Sequence, residues 1–326
     1  MPAIVARDLV KHFAQDIKAV DGIYLSIPEG KIFGFLGPNG SGKTTTVRIL
    51  TTLLRPTSGY AEVDGLDVTR QAGQVRQRVG VALQEAGLDD NQTGRELLEL
   101  QGRLYRLPGQ EARQRAAELL GVVDLAGAAD RRVKTYSGGM RRRLDLAAAL
   151  MHRPRIVFLD EPTTGLDPIS RETIWRYVRA LNQKEGVSFF LTTQYLEEAD
   201  RLADDVAIMD AGRIVAQGSP EELKASIGTD VVTVRLNGSS DSVALAEQAL
   251  RRLDGASEIK SLEDSVVVYI DEGQRAIARI VLLLDEASLQ VEEVTLSRPT
   301  LDDVFLQKTG HHIENDTQQS SDGEPG

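Results

Sequence analysis

Cysteine is absent from this 326-residue sequence, so disulfides and redox chemistry at thiols are excluded. The absence is compatible with the cytosol, where thiols stay reduced. No apolar run approaches the ~18 residues that a spanning helix needs, and the chain is expected to be soluble. The longest candidates, such as Ile280-Val281-Leu282-Leu283-Leu284, have the length of a core helix or strand. The opening Met1-Pro2-Ala3-Ile4-Val5-Ala6-Arg7-Asp8 lacks the charged-then-apolar order of a secretion signal. Positive charge is in deficit: 38 Lys+Arg against 49 Asp+Glu give a formal net charge of −11. That argues against a nucleic-acid partner, whose backbone is held by clustered Lys and Arg. Arg141-Arg142-Arg143 runs against the trend and reads as a solvated or nucleotide-facing helix start rather than a DNA patch.

What the sequence does contain is a phosphate loop. Gly37-Pro38-Asn39-Gly40-Ser41-Gly42-Lys43-Thr44 fits the pattern G-x-x-x-x-G-K-[ST]. It follows the apolar run Ile32-Phe33-Gly34-Phe35-Leu36, which reads as a buried strand. It precedes Thr45-Thr46-Val47-Arg48-Ile49-Leu50, which reads as a helix. Glycines let backbone N–H groups approach phosphate oxygens, and the helix N-terminus adds partial positive charge. Lys43 is expected to reach the β- and γ-phosphates of ATP, and the Thr44 hydroxyl to ligate Mg²⁺.

A second apolar strand, Ile156-Val157-Phe158-Leu159, ends in Asp160-Glu161-Pro162. A phosphate loop calls for a metal-holding acid from a neighbouring strand, and Asp160 is placed to supply it. Glu161 then falls beside the γ-phosphate as the candidate to polarise the attacking water. Pro162 ends the strand.

Tyr136-Ser137-Gly138-Gly139-Met140, shortly upstream of that strand, resembles the signature of ABC-type ATPases. The family pattern has Leu first and Gln last, where this chain has Tyr136 and Met140. Other family elements follow in order. Gln84 matches the Q-loop, which in the family links the metal site to the membrane partner. Gly165-Leu166-Asp167 matches the D-loop. Phe13 occupies the place of the aromatic residue that stacks on adenine, though a strand-end core phenylalanine fits the sequence as well. Most of the family carries a histidine at Gln194, where it contacts the γ-phosphate. A glutamine amide still donates a hydrogen bond but carries no charge. The resemblance covers approximately residues 3–225. It narrows to the ATP-binding subunits of daunorubicin/doxorubicin-resistance exporters through Thr135–Asp145, Thr192–Asp200 and Leu301-Asp302-Asp303-Val304-Phe305-Leu306.

The resemblance implies an α/β fold: a P-loop ABC ATPase domain with a helical signature subdomain at about 85–152, which in the family contacts the permease. It also implies a head-to-tail dimer. Each ATP lies between the P-loop of one copy and Ser137-Gly138-Gly139 of the other, and a separate permease is moved at the cytoplasmic face of the membrane. Residues 1–227 form the nucleotide-binding domain on this reading. Residues 228–310 show the order β-α-β-β-α-β, which suggests a small ferredoxin-like α+β domain. The polar tail 311–326 reads as disordered, and its His311-His312 pair lacks a third metal ligand. A rival reading is a soluble ABC ATPase that acts on nucleic acid or ribosomes. Such chains commonly carry two nucleotide domains or a long coiled-coil insert, whereas this one has one P-loop and no long heptad run. A third is a binding module that has lost hydrolysis, at which only Gln194 hints.

Overall fold

The computed structural model describes residues 2–14, 17–83, 87–227, 230–236, 240–262 and 264–310. Gln84 and the tail 311–326 lie outside these described residues. The chain divides into two compact units, with the boundary between Gln217 and Gly218.

The first unit opens with β1 (Pro2–His12), β2 (Lys18–Pro28) and β3 (Ile32–Leu36), then α1 (Lys43–Leu50). It continues through β4 (Ser58–Val63), β5 (Leu66–Asp67), α2 (Ala72–Arg78) and β6 (Val79–Ala82). Helices α3 (Gly94–Leu104), α4 (Gly109–Val122) and α5 (Gly138–Ala149) follow. Next come β7 (Ile156–Asp160), α6 (Pro168–Glu185), β8 (Ser188–Thr193), α7 (Leu196–Leu202), β9 (Asp205–Asp210) and β10 (Arg213–Gly218). One sheet has the order β2-β1-β4-β5, with antiparallel pairing throughout. The other has the order β10-β9-β3-β8-β7-β6, and its pairs β9/β3, β3/β8, β8/β7 and β7/β6 are parallel.

Every residue of β3, β7 and β8 is buried, as expected for parallel strands covered on both faces. Their aromatic side chains meet at Phe190, whose ring centroid lies 5.4–5.5 Å from those of Phe33, Phe35 and Phe158. Local signals set the helix ends. Thr93 and Glu96 form a capping box at the start of α3. Asp167 caps α6 just ahead of Pro168, and Gly186 ends it at φ 67°. The Ala211-Gly212 turn signal between β9 and β10 is realised with positive φ at both residues, 43° and 82°.

The second unit contains α8 (Pro220–Ala225), β11 (Asp230–Leu236), α9 (Ser240–Leu250), β12 (Ala256–Ser261), β13 (Ser265–Ile270), α10 (Gly273–Glu286), β14 (Val291–Ser297) and α11 (Leu301–Thr309). The β-α-β-β-α-β order forms a single antiparallel sheet, β12-β13-β11-β14, which is the ferredoxin-like arrangement. Helices α9 and α10 pack Val243, Ala246, Ile280 and Leu284 against Val232, Val234, Val266 and Val268 of the sheet. Two further helices belong to this unit, and they account for the earlier boundary: α8 packs with α11 rather than closing the first unit. Helix α11 is tied to the sheet by Lys260, whose ammonium donates to the Leu306 and Gln307 carbonyls at 3.0 and 2.6 Å. No helix among the described residues is long and apolar enough to cross a membrane.

Candidate functional site

Because β3, β8 and β7 are parallel neighbours, their carboxyl ends lie on one edge of the sheet. Leu36 pairs with Thr193, and Thr192 with Asp160. The segments that follow these strands therefore converge: Gly37–Lys43 after β3, Gln194 after β8, Glu161 after β7. This is where open α/β sheets place their ligands.

The loop after β3 can form only with glycine at two of its positions. A Cβ on Gly37 would lie 2.3 Å from the Met209 carbonyl oxygen. A Cβ on Gly42 would lie 2.0 Å from that of Ala19, and Gly42 also has φ +109°. Gly42 is the N-cap of α1 and, having no side chain, makes no side-chain cap. Lys43 is buried and donates to the Gly37 and Pro38 carbonyls at 2.8 and 2.9 Å. Its ammonium lies 4.0 Å from the Glu161 carboxylate. Burial pushes the Lys43 pKa below the usual lysine value, against the upward pull of Glu161 and Asp160.

Asp160 is almost fully buried, and its carboxylate accepts from the Thr44 hydroxyl at 3.2 Å and from the Thr192 hydroxyl. Glu161 sits at φ 49°, a left-handed conformation that costs an L residue about 1–2 kcal/mol. Its N–H donates to the Thr192 carbonyl and hydroxyl, each at 3.1 Å, which holds the turn in place. Its carboxylate accepts from Thr164 at 3.3 Å. Strained backbone of this kind gathers at functional sites.

The structure thus gathers Gly37–Thr44, Asp160, Glu161 and Gln194 on one edge. Ser41 Oγ and Gln194 Oε1 are both buried there without a protein hydrogen-bond partner. Phe13 is 44% exposed, which rules out the strand-end core alternative. The signature residues have other neighbours. Ser137 caps α5 and is exposed, and a Cβ on Gly139 would lie 3.0 Å from Ser170 Oγ, just past the Gly165-Leu166-Asp167 turn. Both departures from the signature pattern point inward. Tyr136 is buried and donates its hydroxyl to the Ala128 carbonyl at 2.7 Å, while Met140 packs against the same core.

The expectation for the arginine run is corrected. Arg142 does not face solvent freely: its guanidinium is half-buried and turned to main-chain carbonyls. It donates to Leu83 (2.6 Å), Asp160 (2.7 Å) and Pro162 (3.0 Å) and pairs with Asp145 at 3.2 Å. It thereby fastens α5 to the acidic strand end. Burial pushes Asp145 up to about 6 despite Arg142 beside it. Arg141 pairs with Asp90 at 2.6 Å, and Arg143 donates to the Val123 carbonyl at 3.0 Å. Thr192 also escaped the sequence reading, although a polar residue closing the apolar run Phe189-Phe190-Leu191 was a usable signal.

A family model described as ABC transporter matches residues 20–164. A second, described as the C-terminal domain of DrrA1-3-like ATP-binding proteins, matches residues 218–309. The daunorubicin resistance ATP-binding protein DrrA2 of Streptomyces coeruleorubidus is 46% identical, covering 96% of this chain and 97% of its own length. Nod factor export ATP-binding protein I of Ralstonia nicotianae is 36% identical, covering 96% of this chain and 95% of its own. Among solved structures, a dimeric post-hydrolysis ATP-binding cassette bound to ADP and phosphate is similar at a TM-score of 0.61 and 26% identity. It covers 66% of this chain and 98% of that one.

Proposed function

The chain belongs to the ATP-binding subunits of ABC transporters of the daunorubicin/doxorubicin-resistance type, and from that premise we propose how its site works and what it serves. The chain is an ATPase. The observation that carries the assignment of roles is the convergence of Lys43, Asp160, Glu161 and Gln194 at the carboxyl ends of three adjacent parallel strands.

On this reading Gly37–Thr45 wraps the phosphates with backbone N–H groups, and Lys43 supplies charge to the β- and γ-phosphates. Phe13 offers its exposed ring to adenine. Thr44 and Asp160, two hard oxygen donors already in contact, fit Mg²⁺ and would hold it, with Gln84 as the third residue. When bound, the ion neutralises charge on the phosphates. The orphaned Ser41 and Gln194 oxygens, buried on the same edge, suit a polar ligand. Glu161 accepts a proton from the attacking water. Gln194 contributes a neutral hydrogen bond, so the position of the water rests on geometry rather than on a titrating charge.

Ser137-Gly138-Gly139, exposed at the start of α5, completes the site of a second copy packed head to tail. ATP closes that pair, hydrolysis reopens it, and a separate membrane permease at the cytoplasmic face converts the motion into export. The cargo is a drug or another hydrophobic small molecule. Relatives named for daunorubicin resistance and for Nod factor export share this architecture, so the permease largely sets the substrate.

The test is a pull-down of tagged Glu161→Gln chain from solubilised membranes with ATP present. Recovery of a polytopic membrane protein supports the exporter reading and identifies the permease. Recovery of ribosomes or nucleic acid without a membrane protein would overturn it.

A further inference from the structure

We propose that Glu198 is a positioning residue for hydrolysis, clamping the loop that carries Glu161 to the turn that carries Gln194. The proposal rests on the roles given to Glu161 and Gln194 above.

Glu198 lies in α7, four residues after Gln194, and none of its surface is exposed. One carboxylate oxygen, Oε1, accepts two hydrogen bonds from different elements. The Thr163 hydroxyl donates at 3.0 Å, and the Trp175 indole N–H of α6 donates at 2.8 Å. Thr163 is itself fully buried, two residues beyond Glu161, and its carbonyl accepts from the Leu166 N–H at 3.2 Å. The bond from Thr163 to Glu198 therefore fixes the middle of the 161–167 loop against the 194–198 segment.

A second link runs in parallel. Arg171 donates Nε to the Leu166 carbonyl at 3.0 Å, and its guanidinium stands 4.2 Å from the ring centroid of Tyr195, the neighbour of Gln194. Two ties thus join the same two segments, one through Thr163 and one through Leu166. Both ties hold residues that follow closely on the acid and the amide, which must share one water molecule.

A carboxylate serving only as filler would be expensive here. Burial pushes the Glu198 pKa up, against hydrogen bonding from Thr193, Trp175 and Thr163, and an apolar side chain would fit such a place at lower cost. What the carboxylate offers over an apolar residue is a single acceptor that receives both donors. Misplacing a water-orienting group by a fraction of an ångström reduces turnover without weakening nucleotide binding. The role is thus readable as a fall in kcat at constant KM.

Trp175 makes the clamp visible, because it is the only tryptophan in the chain and its indole N–H bonds to Glu198. The experiment measures steady-state ATPase kinetics on the full chain with its permease, and intrinsic tryptophan emission on the full chain alone, after expression as Glu198→Gln, Glu198→Ala or Thr163→Val. Glu198→Gln keeps the Oε1 acceptor, and its kcat is expected to stay within about threefold of the parent. Glu198→Ala is expected to lower kcat at least tenfold with KM for ATP unchanged and to shift the tryptophan emission. Thr163→Val, which keeps the side-chain shape, is expected to lower kcat in the same way, and it decides the question if Glu198→Ala does not fold. Full kcat in Thr163→Val and Glu198→Ala would overturn the clamp, as would a Glu198→Gln as impaired as the alanine variant. Glu161→Gln measured alongside separates the two failures: if it too turns over normally, the hydrolysis reading fails rather than the clamp.

Discussion

The two units of the chain each contain wholly buried strands, yet among the described residues the loops that follow them converge only in the first. In the first, β3, β8 and β7 run parallel, so three loops leave the same edge and their polar residues meet. In the second, each neighbouring pair in β12-β13-β11-β14 is antiparallel, so adjacent strands end on opposite edges. Of the buried polar side-chain atoms without partners, Ser41 Oγ and Gln194 Oε1 lie at the convergent edge, Arg115 Nε and His152 Nδ1 lie elsewhere in the first unit, and Gln307 Oε1 lies in the second. Strand direction, more than composition, separates a site from a scaffold.

Four substitutions sharpen that contrast. Ile280→Ala empties a fully buried position in the second unit and should cost about 2–5 kcal/mol of that unit's stability. Denaturant unfolding followed beside nucleotide binding should show the first falling and the second unchanged. Lys43→Ala removes a charged donor from the convergent edge and should weaken ATP binding roughly 10- to 100-fold, the worth of about 1.5–3 kcal/mol. Titration calorimetry with Mg-ATP measures it, and the unfolding midpoint should fall too, because the Gly37 carbonyl loses its buried donor. Tyr136→Phe removes one of two donors to the Ala128 carbonyl, which keeps the Arg131 N–H, and should cost roughly 0.5–1.5 kcal/mol, with ATPase KM unchanged, because the ring faces the core. Thr300→Ala removes the capping box of α11 and should cost about 1 kcal/mol, read in the second unit's unfolding alone.

Much of this was legible in the sequence because the signals are local. The phosphate loop declares itself through glycines at positions where a side chain would collide with the backbone. The second unit's strands and its helices α9 and α10 stand out by apolar periodicity. Helix α11 does not stand out in the same way. Its apolar positions Leu301, Val304 and Phe305 are few, and its role depends on the sheet it covers. Residues whose meaning is tertiary were harder. Arg142 is one of three identical letters, and only the fold reveals that it alone donates to the carbonyls of the acidic strand end. Glu198 shares an acid pair with Glu197, and the only clue to its burial is the i,i+4 spacing to buried Leu202. The domain boundary was set beyond α8 because that helix partners α11, about eighty residues downstream.

The most direct test of the convergent edge compares ATP binding and single-turnover hydrolysis in the parent and in Glu161→Gln, both with the permease. Glu161→Gln should bind Mg-ATP as tightly as the parent and hydrolyse it at least 100-fold more slowly, within the roughly 10²–10⁴-fold range of a lost general base. Hydrolysis at the parent rate would contradict the account, because the group placed beside Lys43 and Asp160 would then not be the base.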